Sequence, residues 1–250
     1  MEKPKKLSGF NATYLLIATC VTMFLFEIFY NYVLGKPAFD NLFYTYGFSL
    51  DNILAGKWWT FITSIFLHAN AEHLILNMVA LFFFGSALEH SVGWKKTLLI
   101  FFASAIVGDI AVLFASLIGI MPASVPVVGA SAAIFGLLGA AMLVKPLEFV
   151  MFPYLVPVPL LLIALIYIFF NITEFIVVLF KGGVTDIAYV AHIGGLFSGM
   201  LFGFREDGQK KSLFVLLLIF AILIIIPFFL EFLRYIEIVN YTSLVSQVFK

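Results

Sequence analysis

The chain has 250 residues, 63% of them hydrophobic and only 11% charged, far from the composition of a soluble domain. Its 14 basic and 14 acidic residues cancel, which argues against a nucleic-acid partner. The single cysteine, Cys20, leaves no internal disulfide framework.

Apolar runs of spanning length recur along the chain, and they are continuous rather than alternating. The expected fold class is therefore an all-α polytopic membrane protein embedded in the lipid bilayer. Seven spans are expected, at 11–34, 72–91, 96–120, 129–145, 157–180, 186–204 and 213–235. The first is too long, and lacks a small-residue cleavage site, to be a removable signal peptide. Lys3, Lys5, Lys6, Lys95, Lys96, Lys145, Arg205, Lys210 and Lys211 fall on the side of the N-terminus, against Lys36, Lys57, Lys181, Arg234 and Lys250 on the other. That bias places the N-terminus in the cytoplasm, with the cell membrane as the expected location. Residues 1–10 then form a cytoplasmic tail and 11–204 a six-span core. Residues 205–250 supply a cytoplasmic loop, the seventh span and an external tail. No separate soluble domain is expected.

After span one comes the one long non-spanning segment, residues 35–71 on the outer side. Its rings (Phe39, Phe43, Tyr44, Tyr46, Phe48, Trp58, Trp59) suit an element lying at the membrane interface. Span two opens in FLHANAEHLILN (66–77), where Asn70 is a candidate helix cap. His73 and Asn77, four apart, share one helix face. His68 and His73 are five apart, about 140° around a helix, so they do not form the same-face pair of a zinc-binding HExxH. No Cys or Asp stands nearby to complete a ligand set. No metal and no other cofactor is expected, and His68 reads as a scaffold for the external segment. Span three carries Asp109, the one acidic residue well inside a span, while Glu27 and Glu174 are placed nearer the outer interface. Span four contains VVGASAAIFGLLGA with Ser131 near its outer end. In span five Asn171 stands out only as an N-x-T site inside a span, an unsuitable glycosylation acceptor. Span six starts outside near Asp186, and His192 follows six residues in, roughly 9 Å down.

His73 with Asn77, Ser131 and His192 therefore share one depth, just below the outer surface, although each comes from a different span. Small residues explain how the spans meet. Ala191, Gly195, Gly199 and Gly203 repeat every four residues on span six, and Ala132, Gly136 and Ala140 do so on span four. Such stripes let helix backbones approach closely. A serine hydroxyl needs a base, and His192, kept neutral by burial, is the candidate. Acyl transfer also needs donors for the oxyanion. His73, Asn77 and the Ser131 backbone amide, at a helix start, are the candidates. No third triad member is evident: Asp109 orients a histidine or pairs with a polar group in the bundle, and the structural role is favoured. GASAA lacks the second glycine of a G-x-S-x-G elbow and no strand precedes it, which excludes an α/β-hydrolase.

Three segments then carry a resemblance: HANAEHLILN (68–77), GASAAIFG (129–136) and AHIGGLFSG (191–199). In this order and on these spans, over roughly residues 10–204, the chain resembles the rhomboid intramembrane serine proteases of the six-plus-one type. The resemblance implies a Ser131–His192 dyad without an acid, and an oxyanion site of His73, Asn77 and the Ser131 amide. Gly129, His68, Gly195 and Gly199 stand in supporting places. It implies that the ring of Phe135 packs on His192 and orients it in place of an aspartate. Span five would act as a lateral gate, and the loop around Lys181, Gly182 and Gly183 would cap the site. The chain departs from the family pattern at Ala132, usually glycine, and at Thr60, where the family's Trp–Arg pair reads Trp59–Thr60.

The expected function is hydrolysis of a peptide bond in a transmembrane segment of another protein, near the outer surface. The substrate helix must unwind locally to expose its carbonyls, so Gly, Ala or Pro near its outer end should favour cleavage. The alternatives are a rhomboid-like protein that binds transmembrane helices without chemistry, and a small transporter or channel using Asp109 and the histidines.

Overall fold

The computed structural model describes residues 11–152, 156–181 and 189–206, with isolated positions at 221, 225, 229, 232 and 236. Several expected features lie outside the described residues: the tail 1–10, Gly182 and Gly183 of the capping loop, the start of span six near Asp186, and the seventh span but for those positions. One of them, Phe229, sets its ring edge against Phe169 at 5.8 Å.

Helix α1 (Ala12–Leu34) begins at Asn11, whose side chain accepts from the Tyr14 amide at 3.0 Å. Its first amides are held by a second group. The buried Glu89 carboxylate accepts from the amides of Ala12 and Thr13 at 2.8 and 2.9 Å and from the Thr13 hydroxyl at 2.7 Å. A helix start presents unpaired N–H groups and partial positive charge, so a carboxylate there satisfies both.

The long segment after α1 folds as a helical collar: α2 (Lys36–Tyr46), α3 (Leu50–Leu54) and α4 (Thr60–Phe66). Asn52 organises it, donating to the carbonyls of Tyr44 and Gly47, both at 2.9 Å, and accepting from Lys57 Nζ at 2.9 Å. Thr60, at the family's arginine position, is fully buried and donates its hydroxyl to the Lys57 carbonyl at 2.8 Å. Trp58, Trp59, Tyr44 and Tyr46 face outward.

The second span is α5 (Ala71–Ala80), a π-helical turn (Leu81–Gly85) and α6 (Ser86–Val92). Asn70 caps it as expected, accepting from the His73 amide at 2.8 Å. Then come α7 (Trp94–Leu117) and α8 (Ser131–Val144), a helix of 14 residues whose side chains are buried almost throughout. A hairpin of β1 (Phe149–Phe152) and β2 (Val156–Pro159) precedes α9 (Leu160–Lys181), and α10 (Tyr189–Glu206) follows. The hairpin is a short exception in a mostly helical chain, and α9 begins at Leu160 where the fifth span is expected from 157. Pro157 and Pro159 pair in an antiparallel register with Met151 and Phe149. Prolines suit an edge strand because they donate no ladder hydrogen bond, and they keep the helix from starting before Leu160.

Among the described residues four helices are long and apolar enough to cross a membrane: Ala12–Leu34, Ala71–Val92, Trp94–Leu117 and Leu160–Val177. The core lies where α7, α8 and α10 meet, and the expected small-residue stripes form it. A Cβ added to Gly195 would stand 2.0 Å from the Ala132 carbonyl oxygen. One added to Gly199 would stand 1.8 Å from that of Gly136, and one on Gly203 2.8 Å from that of Ala140. Backbone touches backbone along this seam, which only absent side chains permit. Ala132 fits in glycine's usual place because Gly108 of α7 faces it: a Cβ there would meet the Ala132 methyl at 2.7 Å.

Candidate active site

Ser131 is the first residue of α8, half-buried, and the loop leading into it is tied to the collar. Phe48 and Val127 exchange two backbone hydrogen bonds of 2.9 and 2.7 Å, and the Gly129 amide donates to the Ser64 carbonyl at 2.9 Å. Gly129 has φ +115°, a conformation that disfavours side chains. Its bare α-carbon faces the oxyanion candidates. An added Cβ would lie 2.8 Å from His73 Nε2 and 3.6 Å from Asn77 Nδ2. Residues from α5 and from the α8 loop thus meet, as their common depth predicts.

Across the seam, His192 Nε2 lies 2.7 Å from Ser131 Oγ. The Phe135 ring stacks on the imidazole with centroids 4.4 Å apart and planes 10° from parallel. Tyr167 of α9 sets its ring against Phe135 at 6.2 Å and against Phe84 at 5.8 Å. The other imidazole nitrogen, Nδ1, lies 2.6 Å from Asn171 Oδ1, also on α9. Among the described residues no carboxylate touches His192; an amide stands there instead. Sequence reasoning missed Asn171. Its one available signal was an amide in the middle of an apolar run, a costly placement unless it has a partner.

The supporting residues fall into two groups. Asn77 Nδ2 donates to the His73 carbonyl at 3.0 Å, and its second N–H is left to serve the site. His68, fully buried in the turn before α5, is less separate from the site than the sequence suggested: its ring lies edge-on to His73 at 5.3 Å. Burial, reinforced by the neighbouring His73, pushes the His68 imidazole down to about 4, so it is neutral at ordinary pH. Its Nδ1 pairs with the Phe66 carbonyl at 3.2 Å. Glu27 is fully buried and accepts from the His68 amide at 3.2 Å. Asp109 is buried on α7, and its Oδ2 has no hydrogen-bond partner among the described residues.

The Rhomboid domain family matches residues 55–206 of the chain, a stretch that holds the serine, the histidine, the facing amide and the oxyanion candidates. The chain belongs to the rhomboid family. It is accordingly an integral, multi-pass membrane protein. Rhomboid protease GluP of Bacillus subtilis is 32% identical over 215 residues, covering 85% of this chain and 38% of the relative. Putative rhomboid protease YdcA of the same organism is 40% identical over 93 residues, 37% of this chain and 44% of the relative. Inactive RHOMBOID-like protein 8 of Arabidopsis thaliana is 36% identical over 83 residues, 33% and 22% of the two chains. This rhomboid chain spans less than half the length of each of these relatives.

Proposed function

We propose that the chain is an intramembrane serine endopeptidase that cuts transmembrane segments of other proteins near the outer membrane surface. The observation that carries this reading is the 2.7 Å contact between His192 Nε2 and Ser131 Oγ. As Ser131 Oγ attacks a substrate carbonyl carbon, its proton passes to Nε2. The carbonyl oxygen takes up negative charge and is held by the side chains of His73 and Asn77 and by the Ser131 amide. Collapse expels the leaving amine, which takes the proton from Nε2, and leaves an acyl ester on Ser131. Water, deprotonated by His192, then attacks that ester and regenerates the hydroxyl.

In this reading residues 11–204 are the protease core and 213–235 an appended seventh span. The N-terminus is cytoplasmic, the site opens to the outer side, and α9 is the lateral gate. The test is labelling of the reconstituted protein by a fluorophosphonate probe, together with cleavage of a transmembrane substrate. Wild type labels and cleaves; Ser131→Ala does neither. Labelling or cleavage that survives Ser131→Ala rejects the assignment. The similarity to an inactive relative favours a second reading, a helix-binding protein without chemistry. A folded wild type that neither labels nor cleaves but still binds a transmembrane helix would support it.

A further inference from the structure

Asn171 belongs to none of the motifs that mark the site, yet its amide is buried and paired at both ends. Its Nδ2 faces the Tyr189 carbonyl at 3.5 Å and its Oδ1 faces His192 Nδ1 at 2.6 Å. An amide oxygen only accepts, so Nδ1 must carry the hydrogen. A neutral imidazole protonated on Nδ1 has its lone pair on Nε2, the atom that meets Ser131 Oγ at 2.7 Å.

We propose that Asn171 is a positioning residue for the reaction: it selects the reactive tautomer of His192 and holds the ring in register with Ser131. The proposal rests on the serine-protease reading above. Phe135 cannot perform this task alone. A stacked ring restrains tilt, but it permits a half-turn that exchanges Nδ1 for Cδ2, and it does not distinguish the two tautomers. The hydrogen bond to Oδ1 does both. When Ser131 yields its proton, the imidazolium donates from Nδ1 to a neutral oxygen that is already in place. Asparagine fills the same place beside the histidine of papain-like cysteine proteases, so a carboxylate is not required. Asn171 also sits on α9, away from the backbone seam. A shift of α9 by about 1 Å stretches this bond past hydrogen-bonding reach while Ser131 and His192 stay in contact.

The experiment compares full-length wild type, Asn171→Leu, Asn171→Asp and Ser131→Ala in liposomes, reading the fluorophosphonate labelling rate and kcat and KM on a reconstituted transmembrane substrate. Asn171→Leu keeps the volume and removes the acceptor. It should lower labelling and kcat by about tenfold or more with KM little changed. Asn171→Asp keeps an acceptor and should recover most of the rate. Nitrogen-15 histidine spectra of the wild-type protein give a readout that needs no variant: His192 should be protonated on Nδ1 and bare on Nε2. An Asn171→Leu enzyme as fast as wild type, an Asp variant no better than Leu, or an Nε2-protonated resting histidine each overturns the proposal. A folded wild type that labels no better than Ser131→Ala rejects the protease reading itself, whereas a reactive wild type matched by Asn171→Leu rejects only the role of Asn171.

Discussion

His192 has neighbours on two sides, and they are held in opposite ways. Toward α8 the contact is backbone on backbone, with Gly195 and Gly199 pressed against the carbonyls of Ala132 and Gly136. Toward α9 the contacts run through side chains: the Asn171 amide, which reaches the His192 ring and the Tyr189 carbonyl, and the Tyr167 ring against Phe135. The first side has no rotamers to adjust and so fixes the separation of nucleophile and base. The second has several, so it can loosen without dismantling the pair.

The sharpest way to break this contrast is Gly199→Val. A Cβ there meets a carbonyl oxygen at 1.8 Å, and no flexible side chain can yield, so the two helices must part. We expect a stability loss of about 3 kcal/mol or more and no labelling, read by thermal unfolding and by the probe. A variant that unfolds like wild type would mean the seam has slack. Phe135→Leu tests the stacking contact on the seam's own helix. Losing a stacked ring is worth about 0.5–1.5 kcal/mol, so labelling should fall by about two- to tenfold while the protein stays folded. The smallest effect is expected at Tyr167. Tyr167→Phe keeps both ring contacts, so labelling should change by less than about twofold and stability by under about 0.5 kcal/mol. A larger loss would mean that α9 holds the site through more than ring packing and Asn171.

The long apolar helices among the described residues and the residues that converge at the site were legible because their signals are local or periodic. Apolar runs mark the helices, a four-residue repeat of small residues marks the α8–α10 seam, and polar residues at one depth mark the meeting point. Asn171 carries no period and belongs to no stripe; only its contact with His192, 21 residues away, gives it meaning. Glu27 shows the same difficulty, since its partner is the amide of His68, 41 residues on. The hairpin was readable from Pro157 and Pro159 but was absorbed into an apolar run. The three helices of the collar were not legible, because its order comes from one hub side chain, Asn52.

The Glu89 clamp bears on how the protein is made. Its carboxylate lies 77 residues beyond the Ala12 amide that it binds, so α1 leaves the ribosome with its opening amides in the care of water. They pass to Glu89 only once that later residue is in place. The start of α1 is thus completed by a part of the chain made well after it, which ties α1 to α6.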